Sequence, residues 1–170
     1  MTNSSDPYIR LRPEAPPNIS EICNCKPQEP MVLQVHLSRN PLSCALCNLE
    51  IPPERVGFDQ ALAETLAAWR DFYNSFYYLW LDSGEFEEWA AAQLRDVSSP
   101  VNIRGLKLTQ QLAAWRPCYL WWFQDEAAPD WTPDTHCPKC SRALELRFSG
   151  MRPNGGSLRI CETCLIAIAI

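Results

Sequence analysis

The apolar residues in the central part of the chain recur at the spacing of a long helix. Over residues 59–82 they follow one another at intervals of four, three, four, three and four positions: Leu62, Leu66, Trp69, Tyr73, Phe76 and Trp80. Such intervals gather side chains on one face of a helix. Asp59 suits the N-cap, and Gly84 suits the position just beyond the end. The pattern therefore predicts a helix over residues 59–82.

Two shorter helices are predicted after it. Residues 85–96 carry acidic side chains in their first turn, where the helix dipole favours negative charge. Residues 103–116 form the next predicted helix, which Pro117 ends because proline cannot continue a helix. The Ser-Ser-Pro sequence at 98–100 is expected to separate the two.

Strands are predicted where apolar and polar residues alternate with a period of two. In the segment 32–38 the apolar positions are Leu33, Val35 and Leu37. The aromatic run at 118–125 is predicted to be a strand that leads into a linker rich in proline and acidic residues. The aliphatic run at 165–170 is predicted to be a buried terminal strand.

A β-hairpin is predicted near the carboxyl end. Its two strands alternate charged residues with apolar residues that are expected to face inward: Leu144, Leu146, Phe148, Leu158 and Ile160. Asn154 and Gly155 lie between the strands and suit the left-handed backbone of a tight turn. The pattern thus brings the two ends of the segment 140–161 side by side.

The composition indicates a globular protein with an acidic surface. The chain has 170 residues, 46% of them hydrophobic, and a formal charge of −5. This charge disfavours a protein that binds polyanions over its whole surface. The amino terminus shows no secretory signal, and the longest aliphatic run is far shorter than the ~20 residues that cross a bilayer. We expect a soluble, cytoplasmic protein with no membrane partner.

Eight of the nine cysteines fall into four close pairs, and Cys118 stands alone. Reduced thiolates paired at this spacing are typical ligands of a structural zinc ion, because each short turn aims two sulfurs at a common centre. In an exported chain the same cysteines could form disulfides. Cys118 is interpreted as a small buried apolar residue.

The carboxy-terminal cysteines have the spacing of a zinc ribbon. The predicted hairpin carries a Cys-x-x-Cys turn at each base, which brings four sulfurs together: Cys137, Cys140, Cys161 and Cys164. Four thiolates complete the tetrahedron that Zn²⁺ prefers. Disulfide and redox interpretations stay open, although a redox Cys-x-x-Cys is expected between a strand and a helix.

A second zinc ion is predicted near the amino terminus. Its four ligands are expected to be Cys23, Cys25, Cys44 and Cys47. A crossed arrangement, in which amino-terminal pairs join carboxy-terminal pairs, stays open. His36 and His136 are alternative ligands, but each site already has four thiols, so we expect hydrogen-bonded or exposed histidines.

The expected fold class is α+β, with a small central core of about three helices. An amino-terminal zinc-bound β element and a carboxy-terminal zinc ribbon are expected to flank this core. The predicted segments are a zinc-binding β segment at 1–57, the helical core at 58–117, the aromatic strand and linker at 118–135, and the ribbon at 136–170.

A family resemblance is carried by the Tyr/Trp-rich run "FYYLWLDSGEFEEW", the run "RPCYLWWF" and the terminal "CPKC" and "CETC". With these motifs the segment 66–164 resembles bacterial zinc-ribbon-containing proteins of unknown function that are described as possibly nucleic-acid-binding. The resemblance implies metal ligation by Cys137, Cys140, Cys161 and Cys164. The usual zinc-ribbon turn has glycine after its second cysteine, where this chain has Ser141 and Leu165.

Three classes of function are consistent with the sequence. The first is a non-enzymatic module with two structural zinc ions that binds a protein partner of unknown identity. The second is nucleic-acid binding by the ribbon, whose five basic residues against two acidic ones give 5 − 2 = +3: Lys139, Arg142, Arg147, Arg152 and Arg159. The third is a zinc enzyme, which would need an open coordination position. We expect the first, with nucleic acid as the alternative partner.

Overall fold

A computed structural model describes residues 6–15, 17–36, 38–126, 131–148 and 156–170. Two short 3-10 turns, at Ile9–Leu11 and Ile19–Glu21, precede the first strand. The α+β prediction is confirmed, since about three longer helices pack with a six-stranded mixed sheet. Within the described part of the chain, no helix is long and apolar enough to cross a bilayer.

The sheet joins strands from both ends of the chain. Its strands are β1 (Met31–Leu33), β2 (Leu42–Cys44), β3 (Cys118–Trp121), β4 (Glu145–Phe148), β5 (Leu158–Cys161) and β6 (Ile166–Ala169). Their spatial order is β2-β1-β3-β6-β5-β4. β3 is the link, because it pairs in parallel with β1 on one side and with β6 on the other.

The helices lie between β2 and β3 in the chain. They are α1 (Pro53–Val56), α2 (Gln60–Asp82), α3 (Glu87–Arg95) and α4 (Pro100–Leu112). The prediction for α2 is confirmed, and the Asp59 side chain accepts a hydrogen bond of 2.9 Å from the backbone N–H of Leu62. This N-cap satisfies one of the amide groups left without a partner at the start of a helix.

The predicted position of α4 is wrong at both ends. The helix begins at Pro100, three residues before the predicted start, because proline fits the first helical turn, where its missing N–H costs nothing. It ends at Leu112, four residues before the predicted end at 116. There the chain tightens into a turn in which the Trp115 N–H donates to the Leu112 carbonyl at 3.0 Å.

The sheet buries apolar residues on both faces. One face packs against the helices through side chains that alternate along the central strands: Met31, Leu33, Leu120, Ile166 and Ile168. The other face lines a second, smaller cluster on the inside of the curled sheet: Val32, Ala45, Tyr119, Leu158, Ile160 and Ala167. Successive side chains along the central strands therefore point alternately into two apolar clusters, rather than into one cluster and the solvent.

Two strand predictions are wrong in part. β1 ends at Leu33 instead of continuing to 38, and Leu37 lies outside the described residues. Leu146 is 57% exposed, although it was expected to face inward. β4 is an edge strand whose pairing with β5 shifts between Leu146 and Phe148, so its side chains have a neighbouring strand on one side only. The predicted turn at 154–155 lies outside the described residues.

The division into four segments stays a prediction. The strands β1, β3 and β6 come from three of these segments and form adjacent members of one sheet.

Candidate metal centres

The eight paired cysteines gather into two groups. The N-terminal group contains Cys23, Cys25, Cys44 and Cys47, and the C-terminal group contains Cys137, Cys140, Cys161 and Cys164. Within each group all four sulfur atoms lie within 4.8 Å of one another. The sulfurs thus follow the simple grouping rather than the crossed one, and each group is capable of holding one metal ion, consistent with two zinc ions.

The spacing of the sulfurs fits a tetrahedral zinc ion and not a disulfide. The Sγ atoms of Cys140 and Cys161 are 3.7 Å apart. A tetrahedron with Zn–S distances of about 2.3 Å has edges of about 3.8 Å, whereas a disulfide bond is about 2.05 Å long. All nine cysteines are free thiols. The sulfur spacing is therefore consistent with one zinc ion in each group.

Three of the cysteine turns share one backbone conformation. Asn48, Ser141 and Leu165, each directly after the second cysteine of a Cys-x-x-Cys, have φ values of 60°, 59° and 55°. The N–H of Asn48 donates to the Cys44 carbonyl at 2.9 Å, and that of Ser141 donates to the Cys137 carbonyl at 2.8 Å. The chain thus adopts the left-handed turn that glycine would favour, although it lacks glycine at all three positions.

The N-terminal group is built into the helix-side core. Cys44 ends β2, and both Cys44 and Cys23 are buried in that core, while Cys25 and Cys47 are half-buried. Burial raises the pKa of the Cys44 and Cys47 thiols to about 11. These thiols are therefore protonated at neutral pH in the metal-free chain, and a zinc ion must displace their protons when it binds.

The C-terminal group has the same pattern of burial as the N-terminal group. Cys137 and Cys161 are buried, whereas Cys140 and Cys164 are half-buried. The backbone N–H of Arg142 bonds to the Cys140 sulfur and, against some desolvation, lowers the pKa of that thiol to about 7. One ligand of this group is thus available as a thiolate near neutral pH, which favours the first step of metal binding.

Neither histidine belongs to a cysteine group. The Nδ1 atom of His136 lies 2.9 Å from the Thr135 hydroxyl, and that of His36 accepts from the Ser38 N–H at 3.2 Å. Burial lowers the pKa of His36, which favours the neutral ring. Cys118 is buried in β3, as interpreted from the sequence, and burial raises the pKa of its thiol.

Arg147 and Arg159 have different surroundings on the sheet. Arg159 lies opposite Leu146 and Ile168, on the side of the sheet that faces the helices. Arg147 instead contacts Glu162 at 2.6 Å, and Glu162 accepts a bond from Tyr119, a residue of the second cluster. The two arginines therefore lie on different sides of the sheet.

The other basic candidates have separate surroundings. Lys139 is exposed, and the guanidinium of Arg142 donates to the Thr163 hydroxyl at 3.2 Å. Arg152 lies outside the described residues.

Sequence reasoning missed two arginines beside the N-terminal group. Arg55 donates hydrogen bonds to the carbonyl oxygens of Cys23 and Cys25, the second at 2.8 Å. Arg116 is buried and donates to the Arg55 carbonyl at 2.8 Å. No local pattern identifies them, because Arg55 lies eight residues after Cys47, outside the cysteine turns, and Arg116 was assigned to a helix end.

Comparison with known proteins adds no family. No protein-family model matches the chain, and no curated protein or solved structure is significantly similar to it. The two four-cysteine groups support zinc-binding sites, and none of these comparisons names a zinc ribbon or nucleic-acid binding.

Proposed function

We propose that this chain is a non-enzymatic, zinc-stabilised module that binds another protein. The observation that carries the proposal is a concentration of exposed apolar side chains at the end of α2 and the start of α3. Of eleven exposed large apolar residues in the described chain, five lie within residues 78–89: Tyr78, Leu79, Leu81, Phe86 and Trp89. We call them the α2–α3 surface. A concentration of exposed apolar side chains is a candidate interaction site.

The α2–α3 surface borders an acidic groove that suggests the chemistry of the partner. The groove has a volume of about 600 Å³, and three carboxylates outnumber one arginine in its lining: Trp80, Leu81, Glu87, Glu88, Ala91, Arg95 and Asp125. None of these three carboxylates forms an ion pair with a residue that the structure describes. A partner segment with apolar anchors and Lys or Arg side chains complements this surface in shape and charge.

The cysteine groups support a structural rather than a catalytic role for the metal. Each group supplies four sulfurs, which is the closed ligand set of structural zinc sites, whereas catalytic zinc keeps one position for water or substrate. In this proposal the two ions hold the sheet that carries the helices, and the helices present the surface.

Nucleic-acid binding through the carboxy-terminal segment is the weaker alternative. Lys139, Arg142 and Arg159 form no ion pair with a described residue and could contact phosphates. Arg147 is paired with Glu162, and a zinc ion with four thiolates adds a charge of −2 to the same segment. Any such binding should be modest and should weaken steeply with salt.

We expect the substitution Trp89→Ala to abolish capture of the partner. Truncating an aromatic anchor at the centre of an interface costs about 2 kcal/mol or more, which is roughly thirtyfold in Kd. The measurement is affinity capture after nuclease treatment, quantified by mass spectrometry, with wild type and Ile19→Ala side by side. Ile19 is a matched control because it is also exposed but lies far from α2 in the sequence.

Three outcomes would count against the proposal. The first is an equal yield of the captured protein from Trp89→Ala and wild type. The second is that no protein is captured by both wild type and Ile19→Ala. The third is that nuclease treatment removes every captured protein. The last outcome would favour the nucleic-acid alternative. That alternative predicts a mobility shift with oligonucleotides at about 50 mM salt, which Lys139→Glu combined with Arg142→Glu should remove.

A further inference from the structure

Arg55 and Arg116 form a pair of cations at the N-terminal cysteine group. Arg116 is only 6% exposed, and its guanidinium donates to the Arg55 carbonyl. The Arg55 guanidinium in turn donates to the carbonyls of Cys23 and Cys25. Arg55 thus fixes the backbone of the first two ligands, and Arg116 fixes the backbone of Arg55.

The two arginines have no carboxylate partner. Neither forms an ion pair with an aspartate or glutamate among the described residues, whereas Arg70, the other buried arginine, contacts Asp71 at 2.6 Å. A buried charge without an opposite charge nearby destabilises the fold. Burial and the charge of Arg55 lower the pKa of Arg116, and the Cys23 and Cys44 thiols act in the opposite direction. Negative charge on the cysteine group would therefore stabilise the two arginines.

A zinc ion at this group would supply that charge. Four thiolates around Zn²⁺ carry a net charge of −2, which two guanidinium groups balance. We propose that Arg55 and Arg116 are outer-sphere partners of the N-terminal metal centre: Arg55 orients the Cys23–Cys25 turn, and Arg116 supplies the buried counter-charge. Such partners commonly change metal affinity by 10–100-fold when they are removed.

Among the described residues, no arginine side chain bonds to the backbone of a C-terminal ligand. Arg142 acts on Cys140 through a backbone N–H while its guanidinium bonds to Thr163. The effect of the arginines should therefore be confined to the N-terminal centre, which makes the C-terminal centre an internal control.

The test uses Arg116→Met, which keeps the length of the side chain but removes its charge, and Arg116→Lys, which keeps the charge. Zinc release to a chromophoric chelator is followed in the full chain. Thiol alkylation and peptide mass spectrometry then identify which cysteine group has been emptied. We expect release from the N-terminal centre to be about 10–100-fold faster in Arg116→Met and within a few-fold of wild type in Arg116→Lys. Release from the C-terminal centre should stay unchanged.

Two outcomes would overturn the inference. The first is equal release from the N-terminal centre of Arg116→Met and wild type. The second is equal acceleration by Met and Lys, because that would mean that packing, and not charge, is what Arg116 contributes. If Arg116→Met does not fold, the half-buried Arg55 is replaced instead, as Arg55→Gln. The inference then requires that Arg55→Gln accelerate zinc release from the N-terminal centre and leave release from the C-terminal centre unchanged. Neither result depends on whether the α2–α3 surface binds a protein.

Discussion

Replacing Cys44 with serine is expected to unfold the helix-side core and to lower the zinc content from two ions to at most one. Cys44 is fully buried at the end of β2, opposite Met31 of β1, and belongs to the cluster that packs under the helices. Zinc binding contributes roughly 10–16 kcal/mol of folding free energy in zinc-finger peptides. That is comparable to the whole net stability of a domain, about 5–15 kcal/mol.

The matched substitution in the other group should have a smaller structural effect. Cys140 is half-buried, and it precedes β4, the edge strand of the sheet. Without the C-terminal ion, β6 still pairs with β3, so we expect loss of β4 and of one zinc ion while the helices persist. Far-UV circular dichroism and metal analysis on the same samples distinguish the two variants, since Cys44→Ser should lose most helical signal and Cys140→Ser should keep it.

Cys118 provides the control for removing a buried thiol that binds no metal. Cys118→Ala should retain two zinc ions and destabilise the fold by about 1 kcal/mol, the usual size of a single core substitution. The structural role assigned to the N-terminal centre would be refuted if Cys44→Ser bound two ions and melted at the wild-type temperature. It would also be refuted if Cys118→Ala lost an ion.

The sequence predicts most accurately the features that depend on neighbours along the chain. The stripe that begins at Leu62 and the N-cap at Asp59 locate α2, because a helix is stabilised by residues three and four positions apart. The spacing of the cysteines likewise identifies both groups, since each short turn aims two sulfurs at one point.

The features that depend on distant parts of the chain could not be predicted in this way. β3 was predicted as an aromatic strand, but nothing local indicates that it joins β1 to β6. Leu146 has the alternating pattern of a buried strand, yet its exposure follows from being at the sheet edge. The same holds for Arg116, which meets the N-terminal cysteines only after the whole helical region has folded back.

A second large loss of stability is expected from Gly105→Leu. Gly105 lies in α4 where the helix crosses β3 and α2, and a Cβ atom at this position would lie 2.9 Å from a methyl carbon of Leu120. The same Cβ would lie 3.1 Å from Nε1 of Trp69, whose N–H donates to the Val101 carbonyl at 2.9 Å. A leucine side chain must therefore push the helix from the sheet or break this hydrogen bond.

The size of the effect should grow with the size of the side chain. Gly105→Ala gains up to about 1 kcal/mol of helix propensity but forces contacts that cost about 1–3 kcal/mol, so we expect a small net loss of unfolding free energy. Gly105→Leu adds three more carbons to the same space and should lose more than about 3 kcal/mol. Denaturant titration with excess zinc measures both, because fixed zinc keeps metal binding constant.

Lys107→Leu separates this crowding from the effect of adding a leucine to α4. Lys107 lies on the exposed side of the same helix, so its substitution changes helix propensity and surface hydrophobicity without touching Leu120. We expect its denaturation midpoint to stay near that of wild type. Equal midpoints for Gly105→Leu and Lys107→Leu would show that α4 does not lie tightly against β3. Other contacts would then have to hold the helices to the sheet. The sheet would no longer fix the position of the α2–α3 surface through α4.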